Sequence, residues 1–157
     1  MTKIKTLLVQ AGTEVRRISQ NMMPVVLKQF GLQAALEDLL ADFSEKTGIA
    51  TFGDITLPLR LNEKKEIMIY RIVQELLHNT LKHSKADKVT FLLHKNKDTL
   101  EVNYTDNGKG FLVKDILYEK GLGIPGIRNR IKILHGTFKM STSPGNGFSF
   151  NILFPFS

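Results

Sequence analysis

Hydrophobic and polar positions alternate along this chain in several distinct rhythms. Ile4, Leu8, Ala11, Val15, Ile18 and Met22 recur at spacings of four, three, four, three and four, an a/d seam with Lys5, Glu14, Arg16 and Arg17 off it. A helix with so narrow a stripe must bury it against something, either the domain itself or a partner helix, and the narrow periodicity favours the end of a dimerising bundle helix. Pro24 interrupts the seam, and Gly31 opens a second amphipathic run with Leu32, Ala35, Leu36, Leu39, Leu40 and Phe43 on its core face. Gly48 stands where a C-cap is expected. Ile49 to Phe52 and Leu57 to Leu61 read as short strands flanking a turn at Gly53-Asp54. Asn62 is placed to cap a long helix running to about His83.

That helix ends in RIVQELLHNTLKHS, from Arg71 to Ser84. At about 100° per residue, Glu75, Asn79, Lys82 and His83 share one narrow arc. Ile69, Val73, Leu76, Leu77 and Thr80 form the opposite, sheet-facing stripe. By itself such a polar face is simply a solvated surface; the stretches that follow it change that reading. Lys88 to Lys95 and Thr99 to Tyr104 are β-rich runs joined by Asn96-Lys97-Asp98, a hairpin signal. A helix is predicted from Pro125 to Leu134, with Gly136 just past its end. Two last strands, Thr137 to Thr142 and Phe148 to Phe154, flank Pro144-Gly145-Asn146-Gly147. The pattern predicts an α/β (α+β) two-layer sandwich, helices on one face of a mixed, largely antiparallel sheet.

Composition narrows the class. The 157 residues, 42% hydrophobic and 24% charged, suit one globular domain with a short appendage. The absence of cysteine excludes a disulfide framework and thiolate metal sites. The apolar runs are too short to span a bilayer and no signal-peptide pattern opens the chain, so a cytoplasmic location is expected. A net charge of +7 points to an anionic partner. The basic residues are dispersed and lack aromatic interleaving, which favours a polyphosphate or an acidic protein over nucleic acid.

The chemistry lies in the glycine-rich middle. Asp106-Asn107-Gly108-Lys109-Gly110 follows directly on a strand. Alone it is a good turn; as a site, one carboxylate accepts from an exocyclic amine while glycines admit a flat ring. Gly121-Leu122-Gly123-Ile124-Pro125-Gly126 is a G-x-G-x-x-G opening a helix, whose free N–H groups suit phosphates. A dinucleotide fold would need a strand just before these glycines and an acid about twenty residues later. Val113 to Lys120 is not strand-like, and no acid follows Glu119. The H-R-D and D-F-G elements of protein kinases are missing too.

QELLHNTLKHS, DNGKG and GLGIPGIRNR, in this order and spacing, resemble the ATP-binding domain of sensor histidine kinases of the nitrate-sensor-like subfamily. These domains belong to the GHKL (Bergerat-fold, HATPase) superfamily. The resemblance covers nearly the whole chain, including GLQAALEDLLADF and the closing hairpin. It implies residues 1–24 as the end of a dimerisation and phosphotransfer helix, and residues 25–157 as the catalytic domain. By the same resemblance Asn79 binds Mg²⁺ and Glu75 orients the nucleophile, while Lys82 and His83 lie near phosphates or ribose. Asp106 holds the adenine amine of ATP, with Gly108 and Gly110 permitting close approach. Phe111 to Lys120 forms a lid; Gly121, Leu122, Gly123, Ile124 and Gly126 shape its far hinge and the phosphate-facing helix start. The implied partners are the acceptor bundle of the same protein, as a homodimer, and a response regulator; the intact protein would be membrane-attached.

Two departures stand out. Where the family carries Gly-Thr entering the last strand, this chain has Gly147-Phe148, and Ser149 would point to the other strand face. No histidine precedes His78, so the acceptor is missing and the chain alone is not expected to autophosphorylate. A GHKL serine kinase acting on a sigma-factor antagonist and a module with a degenerate nucleotide site are the competing readings. The heptad seam argues against the first, and the retention of Glu75, Asn79 and Asp106 against the second.

Overall fold

The structure, a computed structural model, describes residues 3–8, 23–112, 114 and 123–157. Residues 3–8 are helical, with Ile4, Leu7 and Leu8 exposed; the remainder of the predicted seam lies outside the described residues. The elements that follow are α1 (Val25–Thr47), β1 (Ala50–Thr56), α2 (Glu63–Asn79), a π turn (Thr80–Ser84), β2 (Lys88–Asn96), β3 (Thr99–Asp106), α3 (Ile124–Ile133), β4 (Thr137–Thr142) and β5 (Phe148–Pro155).

The five strands form one sheet in the order β1-β2-β3-β5-β4. β1 pairs with β2 in parallel, and the other three pairings are antiparallel. The predicted two-layer sandwich with a mixed, largely antiparallel sheet is therefore what the chain forms. Strand alternation supplies one apolar face: Val89, Phe91 and Leu93, then Leu100, Val102 and Tyr104, then Phe148, Phe150, Ile152 and Phe154 are buried. Against it lie Leu27, Leu32, Leu36 and Leu40 of α1, Ile69, Ile72, Val73, Leu76 and Leu77 of α2, and Ile127 and Ile131 of α3. Ser149, paired with Thr105 in the register, falls on the opposite face, as its odd position predicts.

Local signals fix the helix ends. The Asn62 side chain accepts from the Lys65 N–H at 2.8 Å, and Gly48 adopts the left-handed conformation with its N–H on the Ser44 carbonyl at 2.9 Å. The end of α3 differs from expectation. His135 takes the left-handed position (φ 55°), and Gly136 is needed for contact instead, because a Cβ there would meet the Phe154 ring at 2.7 Å.

Two other expectations fail. Gly53-Asp54 is no turn: β1 runs through it, paired with β2 from Ala50 to Thr56. Gly53 serves packing, since a Cβ would sit 2.8 Å from the Leu40 side chain of α1. Leu57 to Leu61 is not a strand but a connection, with the Leu57 N–H donating to the Gln33 side chain at 3.2 Å.

α1 begins at Val25, six residues before the predicted start, and breaks at Gly31 (φ 88°, ψ −177°), a conformation costly for any side chain. The break faces Arg60, whose Cδ a Cβ on Gly31 would meet at 2.6 Å. Arg60 forks onto Glu66 through Nε and a terminal nitrogen, both at 2.8 Å. Glu66, 1% exposed, also accepts from the Leu61 N–H at 3.1 Å. This carboxylate ties the chain entering α2 to the start of α1. Replacing it strands a half-exposed guanidinium and a buried N–H, so Glu66→Ala is expected to cost about 2–3 kcal/mol of stability, read by urea denaturation. A change under about 0.5 kcal/mol would rule out this tie as a structural anchor.

Candidate active site

The polar face of α2 meets the end of β3 through a short chain of buried hydroxyls. After Asn79 the helix widens into the π turn, a form concentrated at functional sites, and its first residue, Thr80, is 2% exposed. The Thr80 hydroxyl donates to Asp106 Oδ2 at 2.9 Å. With its hydrogen so committed, it accepts from the Tyr104 hydroxyl at 2.6 Å, and the Leu76 carbonyl, at 3.2 Å, shares that one hydrogen in a longer contact. Burial pushes the Tyr104 phenol far above its ordinary range, with the neighbouring Asp106 charge adding to the rise, so it stays a neutral donor.

Asp106 is 4% exposed and its second oxygen accepts from the Gly108 N–H at 2.9 Å. Each carboxylate oxygen thus keeps one lone pair for another donor. The carboxylate lines a narrow depression with Leu76, Asn79, Ser84, Ile124 and Phe148. Apolar walls around a single buried anionic group suit a flat, amine-bearing ring.

The D-x-G-x-G loop is held on both sides. The Lys109 N–H donates to the Ser84 carbonyl at 2.7 Å, and the Lys109 carbonyl accepts from Gly145 N–H at 2.6 Å. Gly108 is flush against Ser84 and Gly110 against the Ser143 carbonyl, where Cβ atoms would collide. Asn107, the variable position of the motif, has a purely structural part: its side-chain oxygen accepts from the Asp87 and Lys88 N–H groups at 3.1 and 3.0 Å.

Glu75 lies one turn before Asn79 and opens onto a separate groove between α1 and α2, shared with Arg71, His78 and Arg130. Gly123, at φ 61°, presses against its carboxyl, where any side chain would clash. The start of α3 is therefore seated on α2 through Glu75. Burial and the nearby Lys82 hold the His78 imidazole below its ordinary range. Lys82 is exposed, and neither it nor His83 lines the depression or the groove. Gly126 stands 3.1 Å from an Arg130 nitrogen, measured from where its Cβ would be. Gly121, Leu122 and most of the expected lid lie outside the described residues. Among the described residues no group of three acidic or histidine side chains is placed to hold a metal ion.

Sequence reasoning assigned Thr80 to the apolar stripe and passed over Ser84 and Tyr104. Their signal was a hydroxyl at two stripe positions four apart. If Thr80 is the hub, Thr80→Val removes the donor to a buried carboxylate and should cost about 1–3 kcal/mol, more than Tyr104→Phe at about 0.5–1.5. Chemical denaturation of the two variants gives the order, and the reverse order would place the hub on Tyr104.

Residues 64–157 match the family described as histidine kinase-, DNA gyrase B-, and HSP90-like ATPase. The chain is 36% identical over 143 residues to the signal transduction histidine-protein kinase/phosphatase DegS of Brevibacillus brevis, covering 90% of this chain and 37% of that protein. It is 32% identical over 146 residues to the sensor histidine kinase LiaS of Bacillus subtilis, covering 93% and 40%. It thus spans well under half the length of these relatives. A similar architecture occurs in the histidine kinase domain of Erythrobacter litoralis EL346 (TM-score 0.71, 22% identity, 80% of this chain and 61% of that one). Acinetobacter baumannii AdeS shows it too (TM-score 0.71, 20% identity, 98% and 84%). With the family match reaching from the start of α2 through β5, the chain belongs to the histidine kinase-, DNA gyrase B-, and HSP90-like ATPases.

Proposed function

We propose that this chain is the ATP-binding catalytic part of a two-component sensor histidine kinase. In this reading it passes the γ-phosphoryl group to a histidine on a dimerisation bundle, for relay to a response regulator. The carrying observation is the buried Asp106 carboxylate, pinned by Thr80 and Gly108, with lone pairs left over in an apolar slot. Such a group accepts from the amine of adenine and repels a carbonyl at the same place. The apolar walls support this reading; a ring would have to widen the depression, which in this structure has room for little more than a water molecule.

When bound, ATP with Mg²⁺ supplies the phosphoryl group and the charge neutralisation that its transfer needs. Asn79, at the last position of α2 and bordering the slot, offers an amide oxygen suited to Mg²⁺. Glu75, one turn earlier and lining the next groove, is the group this reading assigns to orienting an incoming imidazole. The start of α3, where Gly123 packs on the Glu75 carboxyl and Gly126 beside the Arg130 side chain, is in this reading the helix end that faces the phosphates. Lys82 and His83, in the π turn, line neither the slot nor the groove, so their assignment near phosphates or ribose rests on the family order alone. Residues 1–24 are then the end of the bundle helix, 25–157 the catalytic domain, and the acceptor histidine belongs to a segment outside this sequence. The names of the relatives, sensor kinases that extend well beyond the match, support this division.

Phe148, 7% exposed and in the wall of the slot, favours a second reading, an interaction module whose nucleotide site has decayed. Calorimetric titration with ATP, with and without Mg²⁺, separates the two. The kinase reading expects micromolar, Mg²⁺-sensitive binding, weakened about 10- to 100-fold by Asp106→Asn. Asn79→Ala should abolish mainly the Mg²⁺ dependence. No binding by the wild-type chain would give the lead to the module.

A further inference from the structure

Ser84 ends the π turn and is 1% exposed. Its Oγ is buried and, among the described residues, has no hydrogen-bond partner. A helical serine ordinarily donates to a carbonyl one turn back, and this one does not. A buried hydroxyl with no partner is costly, so its persistence calls for a function. Two contacts fix its position: Gly108 lies flush against it, and its own carbonyl accepts from the Lys109 N–H at 2.7 Å. Ser84 also lines the slot that contains the Asp106 carboxylate, its hydroxyl covered by Gly108. Apart from Thr80, already bonded to Asp106, no other hydroxyl lines the slot among the described residues. Phe148 lines it too, stacked on Phe150 at 5.9 Å, and Ser149 faces away.

We infer that Ser84 is a base-recognising residue: its orphan hydroxyl, beside Asp106, hydrogen-bonds the ring edge of an amine-bearing purine nucleotide. The inference rests on the nucleotide-binding reading above and extends it to a residue of the π turn. Asp106 is acceptor-only and selects the amine, whereas a hydroxyl donates or accepts and can meet a ring nitrogen. Together they read two neighbouring positions of one base, which a carboxylate alone does not. Thr80 and Ser84, four residues apart at the two ends of the π turn, lie on the same side, one bracing the carboxylate and the other lining the slot. Phe148 then contributes an apolar wall for the ring and not a polar contact.

The test uses the whole chain, with ADP in EDTA so that metal plays no part. Ser84→Ala should weaken ADP binding by about tenfold in calorimetry. It should leave the melting temperature of the nucleotide-free protein equal to or above wild type, since it removes a buried unmet donor. ADP affinity within twofold of wild type, with Asp106→Asn still impaired, would overturn the role of Ser84 and leave the nucleotide reading standing. A lower melting temperature for nucleotide-free Ser84→Ala would also overturn it, by showing that the hydroxyl serves the fold. Failure of the wild-type chain to bind ADP would bring down both.

Discussion

A carboxylate buried at the end of a strand is costly, and the site depends on how that cost is met. Asp106 has two donors, one from a hydroxyl on the turn after α2 and one from the backbone two residues on. The first fixes the helix against the sheet; the second shapes the loop that closes the slot. Tyr104 and the Leu76 carbonyl continue the chain of bonds into α2. Removing the charge would relax all three elements together, so the group proposed to read the base also determines how helix and sheet are docked.

Most of the architecture was legible in the sequence because local chemistry agreed with the global pattern. Asn62 and Gly48 cap where their side chain, or lack of one, predicts. The β2–β3 hairpin and the β4–β5 pair follow from alternation and turn residues. The failures share one cause, tertiary contact overriding a local signal. Gly53 looks like a turn residue but is a strand residue under the Leu40 side chain. Gly31 looks like a helix start but is a break fitted to Arg60. Gly136 looks like a left-handed cap, yet His135 takes that conformation and the glycine yields space to Phe154.

The site divides along the same line. Glu75, Asn79 and Asp106 stood out because polar groups recur there in a family order. The structure brings Asn79 and Asp106 to one slot and sets Glu75 in the adjoining groove. Thr80 and Ser84 were hidden because they sit on the apolar side of a helical wheel, and an ideal wheel has no means of showing a π turn.

One consequence of the strand order concerns when the slot comes into being. β5 is last in sequence among the five strands but lies between β3 and β4, and Phe148 at its head pairs with Asp106. Until β5 inserts, β3 presents a bare edge and the slot lacks a wall. A chain synthesised only through β4 therefore has α2, the π turn and Asp106 but no Phe148 to wall the slot. Completion of the sheet and closure of the slot thus depend on the same strand, β5.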